Sequence, residues 1–262
     1  MNVEIAQVTR IGGRRINQDR VASVAVGEAV LLVLADGMGG TQRGEVAADI
    51  ALEVMLSAFR EAAAPVIGDP AAFFHDTIER AHLEILRYAR DQNLWDPPGS
   101  TCVACLVQRD TAWWAHVGDS RCYLLRNGQI AGRTRDHSLF QDLVDMGRIR
   151  DDDAGFHPER GVLTSCLGGF EAPRTEVAPP VALAPGDVVM LCSDGLWGQL
   201  PESELASALA DEPLAPALEA LAKAADREAG RLSDNVTAIA LRWHEGTAPG
   251  ARITRAAEEP AG

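Results

Sequence analysis

The sequence predicts an α+β fold in which a two-sheet core is flanked by helices. Three observations carry this expectation. Short apolar, β-branched runs recur along the chain; two long stretches between them repeat apolar residues at three- and four-residue spacing; and Asn127-Gly128 lies between two strand-like segments. A type I′ hairpin turn needs positive φ at both central residues, so Asn-Gly there pairs its neighbours antiparallel.

In chain order, strands are expected over Val21 to Val26 and Ala29 to Ala35, then helices over Gly44 to Ala64 and Pro70 to Asp91. In the second helix Phe74, Ile78, Ala81, Ile85 and Tyr88 form one apolar face that can lie on a sheet. A strand meander follows over Thr101 to Val107, Ala112 to Val117 and Cys122 to Leu125, the last turning at Asn127-Gly128. Shorter helices over Ser138 to Met146, Glu202 to Ala210 and Ala215 to Glu228 are interleaved with strands over Val188 to Cys192 and Val236 to Trp243. Residues 1–245 are read as one domain, since 262 residues with 47% hydrophobic content can bury a full core. After His244 the composition turns to Gly-Thr-Ala-Pro-Gly and then to charged, Ala-rich sequence without periodicity, so 246–262 is expected to be a disordered tail.

A net charge of -14 disfavours nucleic acid and anionic membranes as partners, because both are bound through cation clusters. No basic-then-apolar leader opens the chain and no run is long enough to span a bilayer, so a cytoplasmic location is expected, and a monomer. Five cysteines at scattered positions within apolar runs read as reduced core thiols. Cys102 and Cys105 form a C-x-x-C, but on a strand they have opposite parity and face opposite sides.

Four aspartates occupy one recurring context, the junction of an apolar run with a bend: Ala35-Asp36-Gly37, Gly118-Asp119-Ser120, Ser193-Asp194-Gly195 and Ser233-Asp234-Asn235. Each alone is a common turn or cap residue. Together, carboxylates at buried strand ends repel one another and lose hydration, which a shared cation relieves. An all-oxygen ligand set suits Mg²⁺ or Mn²⁺ over zinc or copper. Glycines after Asp36 let the backbone approach a ligand and free carbonyls to coordinate it. Arg14 stands five residues before a further strand-entry carboxylate, Asp19.

Read in order, Arg14-x-x-Asn17-Gln18-Asp19, Asp36-Gly37-Met38-Gly39-Gly40, Gly99-Ser100-Thr101, Val117-Gly118-Asp119-Ser120-Arg121, Thr134-x-Asp136-His137-Ser138, Leu163-Thr164 with Leu167-Gly168, Ser193-Asp194-Gly195-Leu196 and Asp234-Asn235-Val236-Thr237 form a set. That set resembles the metal-dependent type-2C protein serine/threonine phosphatases, specifically their bacterial branch, over about Val3 to Trp243. The resemblance implies an α-β-β-α sandwich of two packed antiparallel sheets. It implies hydrolysis of phosphoserine and phosphothreonine in proteins by a metal-activated water, opposing a serine/threonine kinase, with that kinase or its targets as partners. It also implies two core Mn²⁺ or Mg²⁺ ions. Asp36 would touch both, Asp19 and the Gly37 carbonyl would help hold one, and Asp194 with Asp234 the other; a third, weaker ion would sit with Asp119 and Asp194, and Arg14 would grip the substrate phosphate.

The chain departs from that pattern at two places. Animal members usually carry histidine where Met38 stands, and methionine has no proton to give; His137 is the nearest motif histidine, as an acid or as a group orienting its loop. The Leu-Thr motif often continues Arg-Ala and here reads Ser165-Cys166. Leu139 to Leu163 takes the place of the family's variable flap, and its Asp151-Asp152-Asp153 would disfavour acidic peptides. Trp197 is read either as a core aromatic or as packing on the site's edge. Two other functions stay open on the residues, a non-catalytic regulatory module and a hydrolase of a small phosphorylated metabolite.

Overall fold

The computed structural model describes residues 1–38, 43–63, 66–150, 159–210 and 213–244, and the backbone of 252–255. Its elements are β1 (Asn2–Arg10), β2 (Asp19–Val26), β3 (Ala29–Met38), α1 (Gly44–Ala62), α2 (Pro70–Asp91), β4 (Gly99–Ser100), β5 (Cys102–Gln108), β6 (Thr111–Val117), β7 (Arg121–Arg126), β8 (Gln129–Arg133) and α3 (Leu139–Asp145). There follow β9 (Glu176–Val177), β10 (Val181–Ala182), β11 (Val188–Cys192), α4 (Asp194–Trp197), α5 (Glu202–Ala208), α6 (Leu214–Ala229), β12 (Val236–His244) and β13 (Arg252–Arg255).

One sheet runs β13-β1-β12-β11-β7-β8 and the other β10-β6-β5-β3-β2, with β4 on β3 and β9 on β6. Pairing is antiparallel except for β13 on β1. Three apolar clusters define four layers. Ile5, Leu32, Val103, Cys105, Cys122, Leu191 and Ile239 fill the space between the sheets. Leu31, Val33, Met55, Phe59, Phe74 and Ile78 join the second sheet to α1 and α2, and Tyr123, Met190, Leu205, Leu218 and Leu221 join the first sheet to α5 and α6. Because β3 is covered on both faces, its run Ala29 to Ala35 is wholly apolar rather than alternating. Cys102 and Cys105 point to opposite faces, one toward the helices and one between the sheets.

The local signals explain the elements. α2 starts at Asp69, whose carboxylate accepts the Ala72 N–H at 3.0 Å, with Pro70 at the first helical position. Asn127 and Gly128 have φ of 53° and 69°, the positive pair a type I′ turn needs. Two neighbouring strands at one end of the first sheet, β1 and the edge strand β13, were not expected from the sequence. β1 mixes alternation with an adjacent apolar pair, Ile5 and Ala6, which blurs a period of two. β13 interrupts the stretch expected to be a disordered tail: its backbone pairs Glu4 with Arg252 through Gln7 with Arg255. An edge strand needs only backbone groups to satisfy its neighbour's free edge, so composition gave no sign of it. The rest of 246–262, Asp151-Asp152-Asp153 and Gly39-Gly40 lie outside the described residues. Among the described residues no helix is long and apolar enough to cross a membrane.

Candidate active site

The aspartates gather where strand ends of both sheets meet. Asp19 opens β2 directly opposite Asp36 in the β2–β3 register. Asp194 opens α4 just past the end of β11, Asp234 stands two residues before β12, and β11 and β12 are paired neighbours. Asp119 lies in the turn between β6 and β7. Their charges act on one another. Burial first, then Asp19, Asp194, Asp119 and Asp234, hold the Asp36 carboxyl well above the usual carboxylate range. Burial and Asp194 raise Asp119, and burial and Asp234 raise Asp194, which Arg160 and Arg14 pull back toward ionisation.

Asp19 shows most clearly what the cluster is built to receive. Its Oδ2 accepts the Ser193 hydroxyl at 2.9 Å, while Oδ1 is buried with no hydrogen-bond partner. Burial is the main cause that pushes its carboxyl up to about 7, against the hydroxyls of Thr237 and Ser193. A buried, unpaired carboxylate oxygen is costly unless something completes it. Hard anionic oxygens around it fit a divalent cation such as Mn²⁺ or Mg²⁺. Gly37 adds a backbone carbonyl beside Asp36 and has to be glycine, since a Cβ there would lie 2.2 Å from the Gly44 carbonyl oxygen at the start of α1.

Arg14 reaches the cluster from the loop before β2. Its Nη2 donates to Asp234 Oδ2 at 2.6 Å, and the side chain remains 59% exposed. Asp194 and Asp36 also act on it electrostatically, so the guanidinium overlooks the same carboxylates. Asn235 ties this loop in place: its Oδ1 accepts the Gln18 N–H at 2.8 Å.

Asp119 is held by backbone clamps. His137 N–H donates to the Gly118 carbonyl at 2.9 Å, and the Gly118 N–H donates back to His137 Nδ1 at 3.2 Å. The Trp197 indole N–H donates to the Asp119 carbonyl at 3.0 Å. The same ring carries Arg121 at 3.4 Å and Arg160 at 4.3 Å from its centroid, so it is both a buried aromatic and part of the site's wall. Thr101 links the centre, taking the Asp36 N–H on its Oγ1 at 3.0 Å and sharing a hydrogen bond with Ser120 at 2.8 Å.

Among the described residues, histidine and cysteine contribute no second centre. Donor atoms of His116, His137 and Glu176 lie within 4.8 Å of one another. However, His137 Nδ1 accepts from Gly118, so in the neutral ring Nε2 carries the proton and offers no lone pair to a metal. Burial, then His116 and Arg174, lower His137 to about 3, which keeps that ring neutral. Its hydrogen bonds therefore orient the Gly118 loop. Cys102 is pushed up to about 12 by burial, and burial likewise raises Cys122, Cys166 and Cys192, so none of these is an activated thiolate.

Sequence patterns brought Arg14, Asp19, Asp36, Gly37, Asp119, Asp194 and Asp234 to one place but did not single out Ser193, Thr237 or Arg160. The first two sit inside quoted motifs as buried hydroxyls beside Asp19. Arg160, which donates to the Gly198 carbonyl at 3.1 Å, lies in an aperiodic stretch with no signal of its own.

The family profile described as Protein phosphatase 2C matches residues 8–239. The serine/threonine phosphatase stp of Listeria monocytogenes is 35% identical over 178 residues, 67% of this chain and 69% of that protein. The crystal structure of the serine/threonine phosphatase Stp1 from Staphylococcus aureus superposes with a TM-score of 0.84 at 28% identity, covering 94% of this chain and 96% of that one. A catalytic domain of the serine/threonine protein phosphatase PstP in complex with two manganese ions gives 0.79 at 28% identity, covering 93% and 99%.

Proposed function

Because this chain belongs to the protein phosphatase 2C family, we propose that its strand-end aspartates and Arg14 carry out metal-dependent hydrolysis of phosphoserine and phosphothreonine in proteins. The observation that carries this is the unpartnered, buried Asp19 Oδ1 facing a cluster of carboxylates that burial and mutual repulsion keep from ionising freely. Asp36, Asp19 and the Gly37 carbonyl are the groups to hold one divalent ion, and Asp36, Asp194 and Asp234 those for a second. Mn²⁺ is favoured by the manganese complex of the PstP domain, with Mg²⁺ compatible on ligand chemistry, and Asp119 with Asp194 suits a third, weaker ion. The opposing enzyme is a serine/threonine kinase, the catalytic unit spans residues 1–245, and it acts as a monomer.

When bound, such ions lower the pKa of a water so that hydroxide is available near neutral pH and offset charge on the transferring phosphoryl group. The chain's own residues do the rest. Asp234 takes one end of the Arg14 guanidinium and leaves the other donors facing solvent, in position to bind two phosphate oxygens and aim the phosphorus into the cluster. Cys102, Cys105, Cys122 and Cys192 are buried and the half-buried Cys166 thiol is raised by burial, so the chain offers no activated cysteine nucleophile; water attacks phosphorus and the serine or threonine alkoxide departs. Met38 supplies no proton to that alkoxide, and His137 is committed to the Gly118 loop.

The test is Mn²⁺-dependent phosphate release from a phosphothreonine peptide, with Asp36→Asn as control. A loss of at least about a hundredfold is expected in the variant. A wild type inactive in excess Mn²⁺, or a variant of equal activity, removes the catalytic assignment. Arg14→Ala is expected to raise KM for the peptide while calorimetric Mn²⁺ binding stays unchanged, and unaltered kinetics would take Arg14 out of the site.

A further inference from the structure

Three aliphatic side chains stand in water beside Arg14: Ile11 is 40% exposed, Ile16 56% and Leu232 90%. None belongs to any of the three core clusters. A single exposed aliphatic residue is ordinary, but these share one platform at the edge of the catalytic cluster, and an apolar patch rimmed by polar groups marks an interaction surface.

The platform is firm. The loop of residues 11–16 lies backbone to backbone on 231–235: Gly13 N–H donates to the Ser233 carbonyl at 2.9 Å, and Asn235 Nδ2 donates to the carbonyls of Ile11 at 2.9 Å and Ile16 at 3.1 Å. A Cβ on Gly12 would lie 2.1 Å from the Asp234 carbonyl oxygen, and one on Gly13 2.6 Å from that of Arg231, so the two glycines permit this close approach. Arg14 rises from the same loop to Asp234, two residues past Leu232, and Arg15 and Arg231 are exposed on the same two loops. The cations suit a phosphoryl dianion, and the aliphatic side chains suit what flanks it.

We infer that Ile11, Ile16 and Leu232 form an apolar ridge that binds the substrate chain next to its phosphorylated residue, selecting phosphoproteins with aliphatic side chains flanking the phosphothreonine or phosphoserine. This rests on the phosphatase function proposed above. Binding to the ridge precedes the chemistry and persists through it, so it acts on KM more than on kcat.

The test uses the full chain with Mn²⁺ and three substrates: a phosphothreonine peptide flanked by leucines, the same peptide flanked by serines, and p-nitrophenyl phosphate, which has no flanking chain. Wild type is expected to prefer the leucine peptide by about tenfold in kcat/KM, and the Ile16→Ser/Leu232→Ser double variant to lose most of that through KM while p-nitrophenyl phosphate hydrolysis stays within about twofold. Leu83→Ser, an equally aliphatic change on the exposed face of α2, should leave the preference intact. Equal hydrolysis of both peptides by wild type, or an equal loss by the double variant on all three substrates, overturns the ridge while the phosphatase assignment stands. No hydrolysis of any substrate by wild type overturns both.

Discussion

Asp136 and Asp19 are buried to the same extent, 5% and 4% exposed, and the molecule treats them in opposite ways. Asp136 receives Arg121 Nε and Nη2 at 2.8 Å each, a bidentate pair whose arginine also donates to the Tyr123 hydroxyl at 3.0 Å. Asp19 receives one serine hydroxyl, leaves Oδ1 unpaired, and faces further carboxylates. The fold therefore can neutralise a buried carboxylate with an internal cation where it needs a brace. Where it does not, in a cluster joined by two sheets, the function proposed above has the missing positive charge arrive from outside. Asp136 braces the wall of the site, and on the proposed function Asp19 belongs to its working surface.

The largest effect expected from this contrast is on Asp136. Asp136→Asn removes the bidentate carboxylate from buried Arg121, leaving it the longer 3.4 Å contact with Glu202, and should cost about 3–5 kcal/mol in urea unfolding, with or without Mn²⁺. A cost below about 1 kcal/mol would show that the pair is not a brace and would break the contrast. Asp19→Asn should have the reverse sign. Removing an ionised, partly unsatisfied carboxylate is expected to stabilise the metal-free protein at pH 8 by about 1–3 kcal/mol and to reduce the further stabilisation that Mn²⁺ confers.

The pH dependence sharpens the same point. Asp19 has a folded-state pKa of about 7 against the ordinary 3.8, so the folded protein holds that proton more tightly than the unfolded chain does. The resulting stability is fully present below the unfolded pKa and is lost as pH rises through about 7. Metal-free wild type should therefore lose more Tm than Asp19→Asn between pH 4 and pH 8. Saturating Mn²⁺ should shrink that difference. Parallel curves for the two proteins would remove Asp19 from the electrostatic account.

Most of the fold was legible because its elements are locally consistent. Pro70 to Asp91 is helical over the whole span that periodicity and the Asp69-Pro70 start specify, and the Asn127-Gly128 turn is dictated by its φ requirements. The strand ends were legible as well, since an aspartate after an apolar run is an unusual choice for a buried position. What stayed hidden depends on tertiary context. β13 is defined by a partner about 250 residues away in sequence. Likewise, Ser193 and Thr237 matter only because β11 and β12 bring them to Asp19, and Arg160 because it stacks on Trp197.

The smallest effect concerns the one point where brace and working surface touch. Trp197 stacks on Arg121, which braces Asp136, and donates its indole N–H to the carbonyl of Asp119, which faces Asp194. Trp197→Phe keeps a ring for Arg121 and Arg160 but removes that hydrogen bond, a loss of about 1 kcal/mol or roughly fivefold. If the indole serves the brace alone, Tm falls and Mn²⁺ activation is unchanged. If it sets Asp119, the Mn²⁺ concentration for half-maximal activity rises by about that factor, calorimetry shows the weakest ion loosened, and KM for peptide is unmoved. The second outcome is expected, because His137 and the Thr101–Ser120 pair fix the residues on either side of Asp119 and the indole is the group that fixes its own carbonyl. Trp197→Leu, which removes the ring as well, should add a loss of stability through the stacked guanidiniums, separating the two roles of one side chain.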